Sequence, residues 1–88
     1  MKAKDGFLMR KVGERAVVVP VGEASKSFHG MLNLNGAGAF LWNLLGEERT
    51  EEEMLDAMLA EYDTSREEAK KGLDNFLQKL REAGVLEE

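Results

Sequence analysis

The change from strand to helix falls in residues 31–45, which read MLNLNGAGAFLWNLL. Up to Asn33 the residues alternate, as they do along a strand that buries one face. From Asn35 onward the apolar residues recur at helical spacing: Ala37, Phe40, Leu41, Leu44 and Leu45. Asn35 can cap this helix at its start, and Gly46 suits the left-handed position that ends a helix. The stretch therefore predicts a short strand followed directly by a helix.

A β-hairpin is predicted before this stretch. Residues 7–12 and 15–19 are rich in apolar and β-branched side chains. The two residues between them, Gly13 and Glu14, suit a type II′ turn, which prefers glycine first. Pro20 cannot donate to a strand ladder, so we expect the second strand to end there or to lie on an edge.

The third strand is predicted at about residues 28–33, after a polar connection at residues 22–27. Its alternation places one row of side chains in the core, namely Phe28, Gly30 and Leu32. The other row is presented outward and consists of His29, Met31 and Asn33.

Two more helices follow. Thr50 and Glu53 have the spacing of a capping box at the start of the second helix, and Ser65 with Glu68 repeats it at the start of the third. Gly84 is expected to close the third helix, and the apolar pair after it to fold back on the core. Gly72 in mid-helix costs about 1 kcal/mol relative to alanine, so we expect another backbone to approach it closely.

The predicted order of elements is β-β-β-α-α-α, with helices of about 10, 11 and 18 residues. None of these elements can bury its apolar face alone, so all of them must share one core. We predict one α+β domain over residues 1–88, with a three-stranded antiparallel sheet followed by three helices.

The composition narrows the possible functions. The 88 residues include no cysteine and a single histidine, which leaves no residues for a disulfide or a structural zinc site, so no metal or cofactor is predicted. The N-terminal segment is charged and lacks an apolar run, so we expect a soluble, cytoplasmic protein with no membrane contact. Residues 1–30 carry a net charge of +3 and residues 31–88 a net charge of −8, and this acidic part should repel nucleic acid.

No catalytic arrangement stands out, and we predict a protein that is not an enzyme. Ser27 and His29 would share one face of a strand, but no carboxylate is placed to orient the imidazole. Residues 36–38, Gly-Ala-Gly, lack the third glycine of a phosphate-binding turn and indicate a close-packed helix start instead. Trp42 is expected to be partly buried, with a partner-facing anchor as the alternative.

Helical spacing divides the surface of the third helix into two flanks. One flank is basic and partly apolar, with Arg66, Lys70, Asp74, Leu77 and Arg81. The other carries Glu68, Gly72, Asn75, Lys79 and Glu82. The basic flank is a candidate binding edge, although surface lysines and arginines often do no more than solvate a helix.

The chain as a whole resembles the family of pyrroloquinoline quinone biosynthesis protein D, the PqqD-like peptide chaperones. The resemblance starts from residues 31–45, with a strand that ends in Leu-Asn, small residues at the helix start, and an aromatic-Leu-Trp run before paired leucines. It extends to residues 49–53 and 61–63 at the two ends of the second helix. Residues 76–80 and 84–86 match the closing helix and tail, so the resemblance covers about residues 5–86.

The resemblance implies a winged helix-turn-helix-like domain that binds the leader of a ribosomally made precursor peptide. The domain then delivers this peptide to a modifying enzyme, often a radical S-adenosylmethionine enzyme. The leader would lie in a groove between the third strand and the third helix. On the strand, the implied peptide-binding residues are His29, Gly30, Met31, Leu32 and Asn33. On the helix they are Arg66, Lys70, Asp74, Leu77 and Arg81, although the pattern leaves open which flank faces the peptide.

Strand addition is also physically reasonable here, because an edge strand has free N–H and C=O groups that can pair with an extended peptide. Two other functions remain open. A winged helix could bind DNA, but the acidic charge of residues 31–88 argues against it. The domain could also be an interaction module for an unrelated protein.

Overall fold

The computed structural model of the protein describes residues 1–27 and 30–88. Its elements in chain order are β1 (Lys2–Ala3), β2 (Phe7–Val12), β3 (Arg15–Pro20), α1 (Ala24–Ser27), β4 (Leu32–Leu34), α2 (Gly36–Leu44), α3 (Glu51–Glu61), α4 (Arg66–Ala83) and β5 (Leu86–Glu87). The predicted α+β class and its three-stranded antiparallel sheet are confirmed.

The main sheet has the order β2-β3-β4, with both pairs antiparallel. The β2-β3 hairpin closes at the pair Val12–Arg15, and Gly13 has a φ of 65° in its two-residue turn, as the glycine there predicts. β4 pairs with β3 from Val18–Leu32 to Ala16–Leu34, which places it at one edge of the sheet. The third strand is shorter than predicted, and Phe28 and His29 lie outside the described residues.

Two features of the N-terminal half and the chain ends differ from the prediction. Residues 24–27, expected to be part of a polar connection, form the short helix α1. Two-residue strands at the two ends of the chain, β1 and β5, pair antiparallel at Lys2–Glu87 and Ala3–Leu86. The amide of Lys4 also donates to the carbonyl of Val85 at 2.9 Å, so the C-terminal tail folds back as expected.

The helix ends follow the predicted caps with one exception. The Thr50 and Glu53 side chains form the capping box of α3, and the Ser65 hydroxyl accepts from the Glu68 amide at 3.1 Å at the start of α4. Gly84 ends α4 in the left-handed conformation, with φ 74°. The prediction for Gly46 was wrong: α2 ends at Leu44 with Leu45 as its C-cap, and Gly46 does not take a positive φ.

The core lies between the main sheet and the helices. Val18 of β3, Leu41 and Leu45 at α2, and Leu77 and Leu80 of α4 are fully buried together. Trp42 is buried too, so it belongs to the core rather than to a partner-facing surface. Gly72 differs from expectation, because a Cβ there would come no closer than 3.9 Å to the Met58 side chain. No backbone approaches it closely, and packing does not require a glycine at this position.

Candidate functional site

The outer edge of β4 is the first part of the candidate site. Its side chains alternate as predicted: Leu32 and Leu34 are buried, whereas Met31 and Asn33 are exposed. The Met31 side chain, just before the strand, is 61 % exposed. One side of β4 is occupied by β3, and the other side faces α4.

Lys79 links α4 to this edge. Its Nζ donates a hydrogen bond to the backbone oxygen of Asn33, which lies 46 positions away along the chain. In an antiparallel ladder, the N–H and C=O of one residue point to the same side. Because its carbonyl reaches Lys79, Asn33 directs its backbone groups away from β3. The edge of β4 beside α4 therefore carries the groups with which an added strand would pair.

A cavity of about 300 Å³ continues the site past the end of β4. α4 contributes Gly72, Asn75, Phe76 and Lys79 to its lining, and the segment from β4 into α2 contributes Leu34, Asn35, Ala37, Gly38 and Leu41, with Met58 of α3 completing it. The lining is therefore largely apolar with polar groups at the rim, which is typical of a pocket for part of a ligand.

The small residues at the start of α2 form one wall of this cavity. Asn35 caps the helix through its Oδ1, which accepts from the Gly38 amide at 2.8 Å. A Cβ on Gly38 would stand 3.2 Å from the Leu34 Cβ and 3.3 Å from the Asn35 Oδ1. Residues 36–38 thus form the close-packed helix start that the sequence indicates, and they let β4 turn directly into α2.

The basic flank of α4 lies elsewhere. Arg66 pairs with Glu52 and stands 3.9 Å from Asp56 of α3, and Lys70 pairs with Asp74 on its own helix at 3.4 Å. Three of these side chains, Arg66, Lys70 and Asp74, line a smaller cavity of about 190 Å³ against Glu51, Glu52 and Leu55 at the start of α3. In the structure, the basic flank therefore lies against α3 and not beside β4.

Arg81 is held at the C-terminal tail. Its guanidinium bonds to the Glu88 carboxylate at 2.9 Å and lies 3.7 Å from Glu51. The bond raises the pKa of Arg81 and lowers the pKa of Glu88. Thus the carboxylate of the tail, and not the edge of β4, is the neighbour of Arg81.

Leu77 does not present a surface at all. It is fully buried, so its role as a peptide contact on the basic flank is corrected to a role in the core. The predicted strand residues Gly30, Met31, Leu32 and Asn33 do lie at or beside the edge of β4, with Leu32 directed inward. His29 lies outside the described residues, and the peptide contacts of the other predicted residues stay predictions.

The resemblance set the basic flank of α4 beside the third strand and left open which flank faces the peptide; in the structure the basic flank lies against α3 and the tail, and the other flank borders β4. The residues that face β4 and the cavity, Gly72, Asn75 and Lys79, share one helical stripe. One signal for them was Gly72, a costly glycine in mid-helix that no close packing explains.

Neither a metal site nor a membrane segment is found in what the structure describes. Within residues 1–27 and 30–88, no three His, Cys, Asp or Glu side chains are grouped so that they could hold a metal ion. The helices in the same ranges are too short or too polar to cross a bilayer.

The fold and the site define a small α+β domain with an open strand edge beside a helix. The family model for coenzyme PQQ synthesis protein D (PqqD) matches residues 15–86, and the chain belongs to this family. Its structure is similar to that of TbiB1, solved in complex with the TbiA(beta) leader peptide. The two share 28 % identity with a TM-score of 0.77, over 99 % of this chain and 95 % of TbiB1. No curated protein shows significant sequence similarity to the chain.

Proposed function

We propose that this protein recognises the leader segment of a ribosomally made precursor peptide and presents the peptide to a modifying enzyme. The observation that carries the proposal is the outer edge of β4, whose outward backbone groups lie beside α4 and next to a cavity that continues past the end of the strand. The similarity to TbiB1, which was solved with a leader peptide, supports the same use of the fold here. In this proposal the domain binds without catalysing, and the partner supplies the chemistry.

The leader would add to the sheet as a strand next to β4. Asn33 would pair with it through its outward backbone groups, and Gly30 and Met31 would extend the contact before the strand. The exposed Met31 side chain is flexible and apolar, which suits contact with varied side chains. Leu32 would support the strand from the core side.

The helix half of the site belongs on the flank that faces β4. The cavity at Gly72 and Asn75 would take an apolar side chain of the leader, since its walls are mostly carbon. The other flank is a weaker candidate, because the charges of Arg66, Lys70 and Arg81 are already balanced by carboxylates. We therefore place the peptide on the stripe that contains Gly72, Asn75 and Lys79.

The modifying enzyme in this proposal is a radical S-adenosylmethionine enzyme or another peptide-modifying enzyme, as is common for the family. A separate partner fits the size of the domain, because a chain of 88 residues has little interior to spare for an active-site cavity. A leader that is disordered when free would become ordered as it joins the sheet, which gives affinities in the micromolar range or tighter, on the order of −8 kcal/mol.

DNA binding is the alternative that an experiment should test. α4 would have to enter the major groove, yet it carries Glu67, Glu68, Asp74 and Glu82. These carboxylates would repel phosphates, so no observation favours this function.

An amide-resolved NMR titration of the labelled protein distinguishes the two functions. The probe is the leader of the short peptide encoded beside the gene, with a DNA duplex as the second ligand. We expect saturable shifts with the leader and none with the duplex at physiological salt. Saturable shifts with the duplex alone would contradict the proposal.

A further inference from the structure

Lys79 occupies the position at which a peptide strand would enter. Its ammonium group lies on the carbonyl of Asn33, the outward acceptor in the middle of β4. The next outward carbonyl along the chain, that of Asn35, already accepts from the Ala39 amide at 2.9 Å inside the start of α2. Within β4 itself, Asn33 therefore offers the outward acceptor that an added strand would use, and Lys79 occupies it.

The charge of Lys79 is also available in a way that the charges of three other basic residues of α4 are not. Arg66, Lys70 and Arg81 form ion pairs with carboxylates. Across the described parts of the chain, Lys79 pairs with no carboxylate, and its recorded partner is a neutral carbonyl. An ammonium group gains more from a carboxylate than from a backbone oxygen, because the hydrogen bond then joins two opposite charges.

We infer that Lys79 closes the free edge of β4 in the peptide-free protein and selects strands that carry a carboxylate facing α4. Sheet edges are commonly protected from unwanted strand pairing by charged side chains, lysine above all, or by a helix that covers the edge. A neutral strand would have to displace the ammonium group and leave it without a partner. An acidic strand would displace the ammonium group from Asn33 and then bind it through a carboxylate. This new contact offsets the loss of the hydrogen bond between Lys79 and Asn33. This inference rests on the proposed function.

The rest of the flank limits where that carboxylate can lie. The stripe that faces β4 begins at Glu68 and ends at Glu82, and Lys79 is its one basic residue. Acidic residues of the leader near either end of the stripe would meet like charge. The selected leader therefore carries its acidic residue opposite Lys79, with neutral or basic residues toward the ends of the stripe.

The closed edge can be tested on the free protein by comparing Lys79→Met with Lys71→Met. Lys71 is exposed on the same helix and does not line the cavity beside β4, so its substitution makes the same change of charge about two helical turns from Lys79. The measurement is the ¹³C resonance of the Asn33 carbonyl, which responds to the loss of a hydrogen-bond donor. We expect the chemical shift of this carbonyl carbon to change in Lys79→Met and to stay the same in Lys71→Met. An unchanged resonance in both variants would overturn the closed edge.

The selection is tested with two peptides, the leader encoded beside the gene and a copy in which every Asp and Glu is changed to Asn and Gln. We expect the natural protein and Lys71→Met to prefer the acidic leader about tenfold, which corresponds to one charge-assisted hydrogen bond. Lys79→Met should lose most of this preference and bind the neutral copy about threefold more tightly than the natural protein does. A preference that survives in Lys79→Met would overturn the selection.

The test of the proposed function and the test of the closed edge can fail independently of each other. If the natural protein binds neither peptide, the proposed function fails. The carbonyl resonance still decides whether Lys79 closes the edge, because that measurement uses no peptide.

Discussion

The two flanks of α4 differ in charge and meet different neighbours. On one flank, Arg66 and Arg81 reach the carboxylates of α3 and the tail. On the other, Gly72 and Lys79 border the cavity and the edge of β4. The basic flank looks like a binding edge in the sequence, yet it is the one whose charges are already paired. The availability of a charged side chain therefore depends on its neighbours more than on the number of charges along a flank.

The largest expected effect concerns Leu77, which sequence reasoning placed on the basic flank. Leu77→Ala should destabilise the protein by about 3 kcal/mol, because it leaves a cavity in the core. Denaturant unfolding measures this change. The folded fraction should bind the leader as the natural protein does, since Leu77 has no surface to offer a peptide. If the free energy of unfolding fell by less than about 1 kcal/mol and leader binding weakened, Leu77 would instead be a peptide contact.

The next effect compares the two flanks directly, with Gly72→Leu on one and Lys70→Leu on the other. A leucine at position 72 would extend into the cavity, and the loss of leader affinity should be about tenfold or more, or 1.4 kcal/mol. The fold should not suffer, because leucine is a better helix former than glycine and a Cβ meets nothing closer than 3.9 Å there.

Lys70→Leu is the matched control for that comparison, with the same introduced residue two positions away. It removes a pair with Asp74 that is exposed to solvent, and such pairs contribute little to stability. We expect its leader affinity, measured by isothermal titration calorimetry, to stay within about twofold of the natural value. If Lys70→Leu lost leader binding and Gly72→Leu kept it, the peptide would lie on the basic flank and the proposed placement would be wrong.

Much of the fold can be predicted from short stretches of the sequence. The caps at Thr50, Ser65 and Gly84 are visible because each one depends on residues within a few positions. The alternation of Leu32, Asn33 and Leu34 likewise follows from strand geometry alone. Local patterns of this kind predicted the main sheet, the three longer helices and the outward row of the third strand.

The features that were missed depend on distant contacts. β1 and β5 have two residues each, too few for a periodic signal, and they pair across nearly the whole chain. The partner of Lys79 lies 46 positions away, so helical spacing could define its stripe but could not say what the stripe faces. Gly46 resembles a helix stop, yet α2 ends through the backbone of Leu45. The strand half of the candidate site could thus be predicted, whereas the helix half needed tertiary structure.

If the leader joins the sheet at β4, a charge added at this edge should weaken binding, whereas the same charge at the opposite edge should not. Met31 beside β4 and Val12 at the end of β2 are similarly exposed apolar residues, at 61 % and 64 %, on opposite edge strands of the sheet. Met31→Asp and Val12→Asp therefore add the same charge to the two edges, and calorimetry with the leader measures the effect. We expect the leader affinity to fall about tenfold or more in Met31→Asp and to change little in Val12→Asp. Equal affinities in both variants, or a loss confined to Val12→Asp, would contradict strand addition at β4.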